Sequence, residues 1–244
     1  MLLDEYDGHV DALITKLRST QRENFITAGK IMADTIANGN AVHIHDSGHI
    51  VNWELCNRGG GFMCMKPLIY EMQVDNRIRP RDKSGCGIPQ SMEGLAEFAI
   101  RAANVIPGDL IIVGSVSGIS EYVVDLALTA KKYGCKVIAL TSIEYSSSVK
   151  SRHSSGKRLF ECADVVIDNC APAAEGMMKV EGLEPPFAAA SGITATLALW
   201  SVCTVALEEL LSRGITPSVY KSANFPGGNE YNEAQQKIYF ETGI

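Results

Sequence analysis

Residues 107–142, PGDLIIVGSVSGISEYVVDLALTAKKYGCKVIALTS, constrain the fold more than any other segment of the chain. Residues 110–113 form a short apolar run of the kind that is buried on both faces of a parallel sheet. Residues 121–133 carry the apolar periodicity of a helix, which Gly134 ends. Residues 136–140 follow as a second strand, so the segment predicts strand, turn, helix and strand in a right-handed crossover.

The turn between the first strand and the helix contains three hydroxyl groups, those of Ser115, Ser117 and Ser120. In a parallel sheet this turn lies at the carboxyl edge, where free backbone amides at the start of the next helix attract anions. We therefore expect the three side chains to hold a phosphate. The alternative is that Ser117 or Ser120 only caps the helix. Gly114 and Gly118 do not match the dinucleotide fingerprint and no Walker lysine follows, which argues against nicotinamide and nucleoside triphosphate binding.

The rest of the chain predicts helices around the same sheet. Residues 1–40 read as a helical segment that packs on the domain or on a partner, and residues 41–244 read as the domain itself. Residues 163–167 add a strand, and residues 188–211 form an apolar helix that we expect to be buried all round. So much apolar helix surface predicts a homo-oligomer.

Composition excludes several classes of protein. A net charge of −6 argues against nucleic acid as a partner, since binding a phosphate backbone needs a positive face. The sequence starts without a charged and apolar leader and has no uninterrupted apolar run of about twenty residues, so we expect a cytoplasmic protein without a membrane partner. Seven cysteines without a C-x-x-C pair predict buried free thiols.

The segments GDLIIVGSVSG and KYGCKVIALTS resemble the central signature of the SIS (sugar isomerase) domain. Its usual form is a strand ending in S-x-S-G-x-[ST] and a later strand ending in threonine or serine. Those places are occupied here by Ser115, Ser117, Gly118, Ser120, Thr141 and Ser142. The resemblance is greatest to single-domain bacterial proteins near the phosphoheptose isomerases. It implies an α/β fold, a three-layer αβα sandwich with a five-stranded parallel sheet, in a dimer or tetramer that binds a phosphosugar at the carboxyl edge.

Residues 41–62, AVHIHDSGHIVNWELCNRGGGF, resemble the first strand, loop and helix of the same domain. The chain keeps Ser47, Gly48 and His49 of the loop, and the resemblance makes Ser47 and Gly48 ligand contacts. Two positions depart from the usual pattern: Asp46 stands where relatives often have glycine, and Ile50 where they often have a hydroxyl.

Three residues are candidates for catalysis. Aldose–ketose isomerisation needs a group that takes and returns a proton across an enediol. By resemblance this base is Glu54. In the alternative interpretation, Glu54 is a solvent-exposed helix residue that only forms an ion pair with Arg58, four residues later. His49 and His153 lie in loops that would face the sugar, where they could open its ring or donate to a hydroxyl.

The sequence also allows a metal-site interpretation. His43 and His45 lie on one face of a strand, with Asp46 and His49 next to them, as in some metal-dependent hydrolases. Such a site needs more histidines from later strands than this chain offers, so we predict neither a metal nor a cofactor.

The predicted function is that of a phosphosugar-binding protein, an aldose–ketose isomerase or related enzyme that acts on a phosphorylated sugar or amino sugar. Two alternatives stay open. One is a non-catalytic phosphosugar sensor, because the same fold serves in regulators. The other is an enzyme that cleaves substituted amino-sugar phosphates by elimination or deglycation.

Overall fold

A computed structural model describes residues 1–48, 51–72 and 91–244 of the protein. Its central sheet has five parallel strands in the order β2-β1-β3-β4-β5. The strands are β1 (Val42–Asp46), β2 (Met65–Pro67), β3 (Leu110–Gly114), β4 (Lys136–Thr141) and β5 (Val165–Asp168). A separate antiparallel hairpin consists of β6 (Gly176–Met178) and β7 (Phe187–Ala189).

Helices cover both faces of this sheet. They are α1 (Leu2–Ala37), α2 (Val51–Leu55), α3 (Leu95–Ala102), α4 (Glu121–Lys132), α5 (Ile143–Ser148), α6 (Ser191–Ser212) and α7 (Gly228–Thr242), with a 3-10 turn at Leu159–Glu161. Alternate strand residues face opposite helix layers. Ile112 and Ile138 pack in one core with α1 and α6, while Ile111 and Val137 pack in a second core with α4. The architecture confirms the predicted three-layer sandwich.

The first layer is built on a close crossing of α1 and α6. At Gly29 of α1 an added β-carbon would lie 2.5 Å from the Cβ of Val205, so a larger residue would push the two helices apart. Residues 1–40 therefore contribute a helix that packs along the domain. Buried residues of α1 continue the apolar pattern seen in the sequence: Leu13, Leu17, Phe25, Ala28, Met32 and Ile36.

The prediction that α6 is buried all round is wrong for the single chain. Its inner face is buried through Leu199, Cys203, Ala206 and Leu210. The outer face is only partly covered, and Leu211 is 53% exposed. Among the described residues, α6 is long and apolar enough to cross a membrane, judged by length and composition alone. Core helices of globular proteins meet the same criterion. The predicted homo-oligomer stays a prediction.

The sequence pattern of α4 predicts an apolar face with Tyr122, Leu126 and Ala130, and the structure agrees except at Tyr122. Leu126 and Ala130 are buried as expected, together with Val123 and Ala127, but Tyr122 is 38% exposed. The residue spacing i, i+3, i+4, i+7 of the buried set is that of a helix lying on a sheet. Among the cysteines, the six in the described ranges are free and buried, as predicted, and Cys86 lies outside those ranges.

Candidate functional site

A cavity of about 250 Å³ opens at the carboxyl edge of the sheet, where β1, β3, β4 and β5 end beside the start of α6. We call it the edge cavity. Eight of the thirteen described residues that line it have polar side chains, and Val116, Leu140 and Ala195 add apolar surface. The walls are formed by Asp46, Ser47, Gly48, Gly114, Ser115, Val116, Ser117, Leu140, Tyr145, Asn169, Glu175, Ser191 and Ala195.

Residues 115–120 are the serine loop, whose first three residues form one wall of the edge cavity. The Ser115 amide donates to the Leu140 carbonyl (3.0 Å), and the Ser115 hydroxyl accepts a hydrogen bond from the Gly118 amide (3.3 Å). The Ser117 hydroxyl has no partner within the described ranges and lines the cavity. Ser120 occupies the N-cap position of α4 without a side-chain cap bond and does not line the cavity. Two of the three predicted hydroxyls therefore meet there.

Gly118 gives the serine loop its shape. Its φ is +60°, a left-handed conformation that favours glycine. An added β-carbon would lie 2.9 Å from the Thr141 Oγ1 and 3.2 Å from the Leu159 Cβ, so the loop is pressed against β4 and the 3-10 turn. Gly118 thus supports the cavity wall and is not one of the residues that line it.

The predicted ligand contacts of Thr141 and Ser142 are not found in this geometry. Both residues are fully buried and neither lines the edge cavity. The Thr141 hydroxyl donates to the Val116 carbonyl (3.0 Å), and the Ser142 hydroxyl donates to the Ala171 carbonyl (2.6 Å). Ser142 also accepts from the Tyr145 amide (3.0 Å) as the N-cap of α5. Both hydroxyls donate to buried backbone carbonyls, which would otherwise lack a hydrogen bond, and are therefore not available to a ligand.

The end of β1 forms the floor of the edge cavity through Asp46, Ser47 and Gly48. The Asp46 Oδ1 accepts from the Gly48 amide (2.9 Å), and the Ser47 amide donates to the Gly114 carbonyl (3.0 Å). A β-carbon on Gly114 would lie 3.1 Å from the Asp46 Oδ1. The bare glycine at the end of β3 therefore makes room for the carboxylate that the sequence places at the end of β1.

The far wall consists of residues that the sequence patterns did not indicate. Asn169 directly follows β5, and its Oδ1 accepts from the Ala171 amide (3.0 Å). Glu175 lies in the turn before β6, and its Oε2 accepts from the Ser191 hydroxyl (2.8 Å). Asn169 could have been found from its place after a strand, as the polar residue at the carboxyl edge. Glu175 had no such signal, because it arrives there through an irregular turn.

Glu54 does not line the edge cavity. It lies on the short helix α2 and forms an ion pair with Arg58 one turn later, with both side chains more than one third exposed. The Arg58 Nη1 also donates to the Glu54 carbonyl (3.4 Å). This is the i+4 pair that the alternative interpretation described. The geometry gives no support to Glu54 as the base, because the group is held outside the cavity.

His153 is also separate from the edge cavity. It is buried, and its Nδ1 accepts from the Ser155 amide (3.0 Å) while lying 2.8 Å from the Ser155 hydroxyl. Its Nε2 lies 3.8 Å from the Glu93 Oε2 and has no hydrogen-bond partner in the part of the chain that the structure describes. His49, the third catalytic candidate, lies outside the described residues, as does Ile50.

Both histidines of β1 form hydrogen bonds with other protein groups, and neither lines the edge cavity. The His43 Nε2 donates to the Asp109 Oδ2 (2.9 Å) at the amino edge. Burial alone would raise the pKa of Asp109, but hydrogen bonds from His43 and from two backbone amides lower it. The His45 Nδ1 donates to the Leu68 carbonyl (2.8 Å), its ring stacks on Tyr70, and burial lowers its pKa. The described ranges contain no group of three side chains suited to a metal ion.

Comparison with known proteins places this chain among relatives of the same architecture. The family profile described as the SIS domain matches residues 5–142. A UPF0309 protein of Listeria monocytogenes is 35% identical over 224 residues, which are 91% of this chain and 90% of the relative. A UPF0309 protein of Streptomyces griseus is 31% identical over 235 residues, 93% of each chain.

Among solved structures, a phosphoheptose isomerase from Francisella tularensis superposes with a TM-score of 0.53 at 16% identity, covering 84% of this chain and 96% of that one. At this identity the likeness supports the fold alone. Together with the profile match and the full-length relatives, it confirms the resemblance read from the serine loop and the strand that follows it. The chain belongs to the SIS domain family, in the group that includes the UPF0309 proteins.

Proposed function

We propose that the protein binds a phosphorylated sugar or amino sugar in the edge cavity, with the phosphate at the serine loop, and acts on it as an aldose–ketose isomerase or related enzyme. The observation that carries this proposal is the Ser117 hydroxyl, which lines the cavity without a protein partner in the described ranges. Beside it, α4 begins at Glu121, directly after the loop, and the start of a helix at the carboxyl edge of a parallel sheet favours an anion. The fold of the Francisella phosphoheptose isomerase is in keeping with this assignment.

The size and the donors of the edge cavity suit one small polyhydroxylated ligand. Its volume of about 250 Å³ is close to the lower end of the ~300–1,000 Å³ range of drug-sized pockets. Hydroxyl, amide and carboxylate groups converge from the ends of β1, β3 and β5 and from Glu175 and Ser191, and each can pair with a sugar hydroxyl. Such a wall binds through directed hydrogen bonds, whereas a purely apolar wall would not distinguish one sugar from another.

Proton transfer in the proposed isomerisation falls to the carboxylates of the edge cavity. Glu54 is paired with Arg58 outside it, whereas Asp46 and Glu175 line it. A general base must lie within hydrogen-bond reach of the proton it moves. We therefore assign this role to Asp46, on the cavity floor beside the serine loop, in place of Glu54.

A non-catalytic sensor is the second candidate function. One observation favours it: Glu54 and His153, the predicted catalytic pair within the described ranges, both lie away from the edge cavity. A protein with the binding loop and without a positioned acid and base would bind its sugar and release it unchanged. Both an enzyme and a sensor would therefore bind the phosphorylated sugar, but only the enzyme would convert it to a product.

The test is a thermal-shift screen with phosphorylated hexoses, heptoses and amino sugars, followed by NMR detection of any product. A ligand that binds the native state alone raises the melting temperature. We expect stabilisation by at least one phosphorylated sugar and none by its unphosphorylated form. Stabilisation with product formation supports the enzyme, and stabilisation without product supports the sensor. If no phosphorylated sugar stabilises the protein, the proposed function is wrong.

A further inference from the structure

Glu175 is held in an uncommon conformation at the wall of the edge cavity. Its φ is +69° and that of the preceding Ala174 is +61°, two consecutive left-handed residues that are not glycine. Residues other than glycine rarely adopt the left-handed region of backbone φ, and holding them there costs free energy of folding. A glycine at position 175 would form this turn with less strain, so the presence of a glutamate there suggests a role for its carboxylate.

Three hydrogen bonds keep Glu175 in place. Its amide donates to the Pro172 carbonyl (3.0 Å), and its carbonyl accepts from the Ala190 amide (3.1 Å). Its Oε2 accepts from the Ser191 hydroxyl (2.8 Å), while Oε1 has no hydrogen bond to the described residues. The carboxylate is therefore oriented before any ligand arrives, with one oxygen left for that ligand.

The charge around Glu175 decides what that ligand can be. The described residues that line the edge cavity include the carboxylates of Asp46 and Glu175, and none of these lining residues is a lysine, arginine or histidine. No ion pair of Glu175 with a described residue is formed either. A ligand whose phosphate lies at the serine loop would bring further negative charge to this cavity. A positive group at the other end of the ligand would offset that repulsion.

We propose that Glu175 selects phosphorylated amino sugars whose amino group is free and protonated, over the hydroxyl and N-acetyl analogues. The inference rests on the proposed function and names the substrate class of the same cavity. An ammonium group donates to Oε1 with a charge-assisted hydrogen bond, whereas a hydroxyl donates a weaker one. An acetyl group removes the charge and adds volume to a cavity of about 250 Å³.

The experiment is isothermal titration of the full-length protein with glucosamine 6-phosphate, glucose 6-phosphate and N-acetylglucosamine 6-phosphate at mildly acidic pH, where the amine is protonated. We expect glucosamine 6-phosphate to bind roughly tenfold tighter than the other two, the usual worth of a charged hydrogen bond. Glu175→Gln keeps the acceptor for Ser191 but removes the charge, and should abolish this preference by weakening the binding of glucosamine 6-phosphate.

The matched control is Glu181→Gln, which removes the same charge from the exposed end of the same hairpin. It should keep the preference. If Glu175→Gln does not fold, Ser191→Ala takes its place, and the preference should then shrink because the carboxylate is no longer oriented. Equal affinity for the three sugars, or a preference that Glu175→Gln leaves unchanged, overturns the inference and leaves the proposed function standing. If none of the three sugars binds, the inference falls, and the thermal-shift screen with the other phosphorylated sugars decides the proposed function.

Discussion

Two neighbouring segments start at the carboxyl edge of the sheet with hydroxyl-bearing residues, and the hydroxyl groups of the two segments have different partners. The serine loop follows β3, and the β4 segment, residues 141–159, begins at the last residue of the next strand. Ser117 of the serine loop has its hydroxyl free at the cavity. Thr141 and Ser142 of the β4 segment donate theirs to buried carbonyls. A hydroxyl at a strand end is therefore a ligand contact only where no backbone group needs it first.

The two segments also depend on each other. The Thr141 hydroxyl is bonded to the Val116 carbonyl of the serine loop, and the Ser142 amide donates to the same carbonyl (3.0 Å). The Leu159 amide donates to the Gly118 carbonyl (2.8 Å). The β4 segment is thus the support on which the serine loop is built. Four substitutions test whether the hydroxyls of the two segments differ in role.

The largest effect is expected for Gly118→Ala in the serine loop. The left-handed φ costs an L-residue about 1–2 kcal/mol, and the new β-carbon would press on Thr141. We expect the free energy of unfolding in urea to fall by about 2–4 kcal/mol. Gly156→Ala in the β4 segment is the control, since Gly156 has a φ of +70° with open space around it. Equal losses for the two variants would mean that contact between the segments contributes nothing.

Ser142→Ala comes second, because it leaves the buried Ala171 carbonyl without its donor and removes the cap of α5. The expected loss is about 2 kcal/mol in the free energy of unfolding. Ser147→Ala, on an exposed position of α5, should cost less than about 0.5 kcal/mol. Unchanged stability together with weakened sugar binding would return Ser142 to the ligand role that the sequence predicted.

Ser117→Ala should act on binding and leave stability within about 0.5 kcal/mol. Titration with a phosphorylated sugar that binds the native protein should show roughly tenfold weaker affinity, because a hydroxyl bonded to a charged group is lost. Ser120→Ala is the matched variant in the same loop, and its affinity should stay at the native value because Ser120 does not line the cavity. The opposite ranking of the two serines would move the phosphate to the N-cap of α4.

Glu54→Gln, outside both segments, should have the smallest effect. An exposed i+4 pair such as Glu54 with Arg58 contributes less than about 0.5 kcal/mol to stability. Sugar affinity and turnover should not change. Glu97→Gln, which breaks the comparable pair with Arg101 on α3, calibrates the stability change in a urea titration. A fall in turnover of roughly two to four orders of magnitude would instead make Glu54 the base that the sequence predicted.

Much of the fold and half of the candidate site could be predicted from the sequence. The apolar run before Gly114 and the hydroxyls after it are local patterns, so the strand and the serine loop are readable without a structure. Glu175 could not be found in this way. Its approach to Ser191 depends on a turn with two left-handed residues, and no periodicity encodes such a turn.

The amino-acid sequence alone is enough to predict the parallel sheet between helices, the position of the serine loop at its carboxyl edge and membership in the SIS domain family. The sheet and the loop follow from short-range spacing, since buried strands and helices repeat with fixed periods, whereas the family follows from the resemblance of residues 107–142 to its signature. The packed structure was needed to show which hydroxyls are free, that Glu54 is paired outside the cavity and that Glu175 lines it. Those outcomes depend on which buried backbone groups lie within reach of each side chain, and that is settled when distant segments pack together.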